Sequence, residues 1–252
     1  AYAAAVLLVF VLAAGYAGLQ RHQRAVRAAR TAPPPTHWEL PYSHPAGLAY
    51  DGKYFWITDW YSKTLHRHDP VSLRIDRTVH IPREVPGAVA FAGGAVWIAA
   101  TPRGIVKHML NDRLTVLGRY PDIKHQTLGM AYDGLYLWTV DAGKRKLHKR
   151  ILDDRLSVVE SYAYPGSRPA ALAFDGTELW SLDAGNREIL RHDLDRPTRI
   201  TMRIPLPEYR SGEWTPTGLA WARGRFWTVA QRRRRGRGKA RIFSHPLPGA
   251  GS

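Results

Sequence analysis

The chain of 252 residues contains no cysteine. Without thiols there is no disulfide to staple a small core and no thiolate to hold a metal, and the composition suits either side of a bacterial membrane. Acidic residues are also scarce: 21 Asp and Glu stand against 37 Lys and Arg, a formal net charge of +16. Such an excess points to an acidic partner surface, anionic lipid or nucleic acid. Ready-made chemical motifs are missing as well. The sequence has no serine elbow, no phosphate loop, no HExxH and no helix-turn-helix or other DNA-reading pattern. No catalytic residue and no cofactor is therefore expected.

Repetition is what the chain has in place of motifs. GLAYDGKYFWITD, residues 47–59, returns as AVAFAGGAVWIAA (88–100), GMAYDGLYLWTVD (129–141), ALAFDGTELWSLD (171–183) and GLAWARGRFWTVA (218–230). The anchor is a tryptophan, at Trp56, Trp97, Trp138, Trp180 and Trp227, which sets a period of 41 to 47 residues. That period matches four-stranded propeller blades. Seven residues before each Trp stands Ala49, Ala90, Ala131, Ala173 or Ala220, followed by an aromatic: Tyr50, Phe91, Tyr132, Phe174 or Trp221. The small Ala is expected to let neighbouring blades approach, and the aromatic and Trp to fill the wedge between them.

Each unit reads as four strands. The two apolar runs of the repeated phrase flank a turn, and Asp-Gly there predicts a type I′ hairpin. KTLHRHD (63–69), GIVKHML (104–110), KLHKRIL (146–152), EILRHDL (188–194) and ARIFSHPL (240–247) alternate apolar and polar residues and make a third strand. RIDRTVHIP (74–82), RLTVLGRYP (113–121), RLSVVESYAYP (155–165) and RITMRIPLP (199–207) make a fourth, each stopped by Pro. The fifth unit runs out after its third strand, while THWELPY (36–42) is a spare strand before the first. Pairing the two completes five blades and leaves no open edge. The expected fold class is all-β, a five-bladed β-propeller with an N-terminal closure strand, preceded by one transmembrane α-helix.

The repeated phrase resembles the blades of NHL, YVTN and related bacterial propellers, which carry a similar apolar–DG–Trp–Asp pattern, and the resemblance covers residues 36–248. Five blades is also the number in glutaminyl cyclotransferases. HQTLGMAYDG (125–134) is similar to their TQGL stretch, but their Tyr-Glu-Ser-Thr motif has no counterpart, so their activity is not carried over.

The first 19 residues, AYAAAVLLVFVLAAGYAGL, hold no charge and suffice to cross a hydrocarbon core as a helix. Ala3, Ala4, Ala14, Gly15 and Gly18 give this span a small-residue surface suited to packing on another helix in lipid. Arg21, Arg24, Arg27 and Arg30 follow at a three-residue spacing and are placed to meet lipid phosphates. Their bias puts the propeller on the cytoplasmic side of an inner membrane, as a single-pass protein. A basic segment ahead of Ala1 would reverse this to the periplasmic side. A pilin-like filament subunit, the third reading of this end, usually has a Glu near the start of the helix, and none is present. The expected division is a span with its basic extension over 1–31, a Pro-rich linker over 32–35, the propeller over 36–248 and a tail over 249–252.

The densest charge is QRRRRGRGKAR (231–241), between the second and third strands of the fifth unit. Arg232, Arg233, Arg234, Arg235, Arg237 and Lys239 are expected to meet lipid head groups or an acidic protein face. Aromatics do not interleave with them, which argues against single-stranded nucleic acid. Asp59, Asp141 and Asp183 each stand three residues after their Trp, where the second and fifth units have Ala100 and Ala230. They are weak candidates for a Ca²⁺-like site, against the plainer role of capping the following turn. His68, His108, His192 and His245 share one third-strand position, with Arg150 in the remaining unit, and are read as structural. The expected function is a non-catalytic accessory subunit of a larger bacterial membrane complex, with membrane lipids and other membrane-protein subunits as partners. A respiratory or photosynthetic assembly is the kind envisaged. A membrane-tethered ligand- or metal-binding enzyme is the alternative.

Overall fold

The computed structural model describes residues 37–247 apart from 82, 102–103, 123–125 and 234–237. The expected span, its small residues and the arginine stripe lie outside the described residues, as do Arg234, Arg235 and Arg237. Among the described residues no helix is long and apolar enough to cross a membrane.

Five four-stranded antiparallel sheets form the fold. Blade 1 runs through Pro45–Tyr50, Phe55–Asp59, Thr64–His68 and Ile75–His80. Blade 2 uses Val85–Ala92, Ala95–Thr101, Gly104–Met109 and Val116–Tyr120. Blade 3 uses Thr127–Tyr132, Leu137–Asp141, Lys146–Arg150 and Val158–Ala163. Blade 4 uses Pro169–Phe174, Leu179–Asp183, Glu188–His192 and Ile200–Pro205. Blade 5 takes Trp214–Ala222, Arg225–Arg232 and Arg241–Pro246 from the C-terminal end, and its fourth strand is His37–Glu39, with His37 opposite Phe243. The first strand of blade 5 packs on the first strand of blade 1, which closes the ring.

The repeated phrase builds the blade interfaces. Trp56 packs with Ala49, Val89 and Phe91, so the Trp and Ala of one blade meet the aromatic of the next. Trp180 and Trp227 instead meet the residue just before the next blade's Trp, Phe226 with ring centroids 4.6 Å apart and Phe55 at 5.0 Å. Trp56, Trp97, Trp138 and Trp180 are fully buried. Truncating such a residue to Ala costs about 3–5 kcal/mol. First strands approach closely enough that a Cβ on Gly129 would stand 2.6 Å from the backbone of Ala171.

One sequence expectation is corrected. Asp-Gly does not form a type I′ turn here: Tyr50 pairs with Phe55, leaving residues 51–54 in the loop, and only Gly52 among them has positive φ. The aspartate explains the longer loop. Asp51 Oδ1 accepts the amides of Lys53 (2.8 Å) and Tyr54 (2.6 Å), and Oδ2 accepts the Trp56 indole N–H at 2.7 Å. Asp133 and Asp175 do the same for Trp138 and Trp180, each at 2.7 Å. The two-residue turns are in the blades that lack this Asp: Gly93-Gly94 and Arg223-Gly224, all four with positive φ.

Candidate functional site

Asp59, Asp141 and Asp183 close the second strands, and all three are buried. Asp183 is the most heavily bonded. Its oxygens accept the amides of Gly185 and Asn186 (both 2.9 Å), Ser167 (2.5 Å) and Arg168 (3.2 Å). Asp59 accepts from Tyr61, Ser62 and His44, and Asp141 from Lys144 and Gln126. Each carboxylate thus ties its turn to the segment entering its blade. Among the described residues, no group of three or more His, Asp or Glu side chains is arranged to hold a metal.

Three of the third-strand histidines are equally occupied, whereas His108 Nδ1 is buried without a hydrogen-bond partner among the described residues. His192 Nδ1–H donates to the Pro197 carbonyl at 2.7 Å, which leaves Nε2 to accept from Ser181 Oγ at 2.8 Å; Tyr164 Oη lies 3.1 Å further on. Blade 5 repeats this chain as Glu208, His245, Thr228 and Tyr209, with His245 2.8 Å from both Glu208 and Thr228. These rows have the residue types of a hydrolase relay, but Ser181 and Thr228 are 0% exposed, out of a substrate's reach. In blade 1, His68 Nδ1–H donates to the Leu73 carbonyl and Nε2 accepts from Tyr42, both at 2.8 Å. In blade 3 the residue and its partner change together: Arg150 pairs with Asp122 at 2.6 Å. Burial pulls His192 down to about 4, and burial together with neighbouring His68 pulls His66 down to about 4. Both imidazoles are neutral at pH 7.

Open chemistry gathers instead at one end of the channel, where the first strands begin. A cavity of about 240 Å³ is lined by Ala46, Ala88, Leu128, Pro169 and Ala170, with Trp60, Arg168 and Gln231 at its edge. Trp60 and Tyr61 are exposed, and His44 packs against both rings at 4.8 and 4.9 Å. A second cavity, of about 360 Å³, opens beside the first between blades 4 and 5 and is lined by Arg168, Arg187, Arg233, Tyr209 and Trp214. The two share Arg168, Ala184, Thr215 and Pro216.

Of the residues expected to carry charge, Arg233 lines this second cavity, whereas Arg232 pairs with Glu213 at 2.9 Å and Lys239 with Glu39 at 3.6 Å on the surface. Sequence reasoning missed Arg168 and Arg187. A signal for Arg187 existed: Lys63, Arg145 and Arg187 each stand seven residues after their Trp. All three have positive φ, and the same position in blade 2 is Gly104.

Fold and cavities together define a five-bladed β-propeller with a basic, partly apolar channel mouth. Among solved structures it is similar to glutaminyl cyclase from Myxococcus xanthus, with a TM-score of 0.63 at 15% identity over 82% of this chain and 94% of that one. A luciferin-regenerating enzyme matches with a TM-score of 0.55 at 12% identity, over 85% and 96% of the two chains. A chain of a nidogen/laminin complex matches with a TM-score of 0.53 at 16% identity, over 77% of each. These likenesses establish the fold, which several enzymes share. No protein-family model matches the sequence, and no curated protein matches it.

Proposed function

We propose that this chain is a non-catalytic binding propeller: a membrane-anchored accessory subunit whose basic channel-mouth face docks on an acidic surface of a larger bacterial membrane complex. One observation carries the non-catalytic part. Asp183 and the Ser181–His192 and Thr228–His245 pairs, which have the chemistry for catalysis, are buried and spend their hydrogen bonds on neighbouring strands and turns, while the exposed groups at the mouth include arginines and aromatic rings. Arginine and aromatic side chains are the residues that recognition surfaces enrich. The anchor part rests on the uncharged segment 1–19.

The test is gentle detergent extraction of native membranes, followed by native-gel sizing and mass spectrometry. Comigration with a large assembly, lost when Ala14, Gly15 and Gly18 are changed to Leu, supports the reading. Migration as a solitary small protein sinks it.

A second reading, a tethered ligand-binding enzyme, is favoured by the apolar cavity at the mouth and by the occurrence of enzymes on this fold. Asn substitution of Asp59, Asp141 and Asp183 cannot decide between the two, because these carboxylates hold the turns together. Substitution at exposed Leu128 can, since it lines the mouth and is bound to no turn.

A further inference from the structure

We propose that the mouth cavity and the arginine groove form one binding site for a phosphate monoester carrying an apolar substituent. The proposal rests on the mouth face being the working face and names the small-molecule chemistry that face takes.

The head-group half is built from charge. Arg168 and Arg187 of blade 4 and Arg233 of blade 5 line a single cavity of about 360 Å³. Among the described residues none of the three makes an ion pair, although carboxylates stand close by in sequence. Glu188 is taken by Arg203 at 2.5 Å and Glu213 by Arg232 at 2.9 Å. Three arginines lining one cavity concentrate anions there. A single carboxylate answers one of them, whereas a phosphate dianion presents three peripheral oxygens to planar forks that suit it. Arg168 is oriented for this: Nη2 donates to the Ala184 carbonyl at 3.2 Å and its amide is held by Asp183, so its other N–H groups remain for a ligand. Tyr209 and Trp214 wall the groove with buried rings.

The substituent half is apolar. Arg168, Ala184, Thr215 and Pro216 line both cavities, so a head bound by the arginines leaves its substituent facing Ala88, Leu128 and Ala170 in the mouth. An amphipathic anion fits this pair of surfaces; a free inorganic anion uses only one of them. A lipid head group and a soluble phosphate ester share the chemistry.

The experiment uses the purified full chain in neutral detergent, with calorimetric titration of 1-naphthyl phosphate, inorganic phosphate and 1-naphthol. The ester should bind about tenfold or more tightly than either fragment, because it engages both surfaces. Arg168→Gln/Arg187→Gln/Arg233→Gln should weaken the ester about tenfold or more. Arg74→Gln/Arg113→Gln/Arg155→Gln removes equal charge from exposed positions elsewhere and should leave binding unchanged. Leu128→Ser should weaken the ester and spare inorganic phosphate. Equal loss in both arginine triples, ester binding no tighter than phosphate, or no binding at all overturns the site. Competition by phosphatidylcholine vesicles containing phosphatidic acid assigns the lipid as source, and its absence assigns a soluble ester. Ester binding without comigration in native gels sinks the subunit reading alone; comigration without ester binding sinks this site alone.

Discussion

Blades 1, 3 and 4 differ from blades 2 and 5 in one respect that runs through their first two hairpins. The first group has an aspartate at each hairpin: Asp51, Asp133 and Asp175 before the Trp, and Asp59, Asp141 and Asp183 after it. The second group has neither, and its Trp97 and Trp227 donate instead to the Ala92 and Ala222 carbonyls, at 3.0 and 3.2 Å. The same buried indole is therefore satisfied by a side chain in one group and by backbone in the other. The second hairpins then diverge. Capped ones are compact turns, whereas the uncapped hairpin of blade 5 carries the basic insertion after Arg232. A carboxylate that bonds several amides fixes a turn's length, and its absence frees the loop to vary.

The largest expected break of this contrast is Asp183→Ala. It leaves the amides of Ser167, Arg168, Gly185 and Asn186 without their acceptor, at a cost of about 4 kcal/mol in urea unfolding, the upper range for a single change that breaks a buried hydrogen-bond network. Ala230→Gly, at the matching uncapped position of blade 5, should cost about 1 kcal/mol. Equal losses would show that the carboxylate is no clamp.

Acid should act next. His66 and His192 titrate near 4 in the folded chain, below the ordinary value of about 6.5. Between those values the unfolded chain binds protons that the folded one does not, so stability is full above about pH 6.5 and falls as pH drops toward 4. His192 alone contributes about 3 kcal/mol to that slope, and Tyr164–Ser181–His192 marks blade 4 as the place where it acts. His192→Gln should flatten the acid limb of a plot of unfolding free energy against pH. Blade 3 has Arg150 at the same position and no imidazole there to protonate.

A smaller effect separates the first hairpins. Asp133→Ala removes the acceptor of the Leu135 and Tyr136 amides and of the Trp138 indole, a loss of about 2 kcal/mol. Gly94→Ala in blade 2 imposes a side chain at φ 71°, a loss of about 1 kcal/mol. Thermal melts of the two variants give the order, and the reverse order would show that backbone conformation, not the aspartate, defines these turns.

The fold was legible because each blade repeats its constraints: the Ala–aromatic–Trp register, the Pro-stopped fourth strand and the incomplete last unit all describe one ring. Asp51-Gly52 misled because a turn's two-residue signature was read without asking what the aspartate would bond; Trp56, five residues on, was the missing partner. The mouth was illegible for a different reason. Arg168 precedes a first strand, Arg187 lies between a second and third strand, and Arg233 opens an insertion, so no spacing within one segment brings them together. Only the ring does.

The smallest stability effect belongs to the basic insertion, and it separates folding from binding. Arg234→Ser/Arg235→Ser/Arg237→Ser keeps the loop's length and leaves untouched the contacts that seat the closure strand, in which Leu40 N–H donates to Ala240 O and Ala240 N–H to Tyr42 O, each at 2.8 Å. The flanking pairs, Arg232 with Glu213 and Lys239 with Glu39, are exposed, so the change should stay within about 0.5 kcal/mol of the parent in urea unfolding. Under the proposed docking, association with a membrane assembly should nonetheless weaken and lose part of its salt dependence, because three positive charges are removed from the chain. Unchanged association across a salt series would place docking elsewhere on the ring. A large loss of stability would mean that these arginines help to fold blade 5, and that an uncapped hairpin is held by its charges after all.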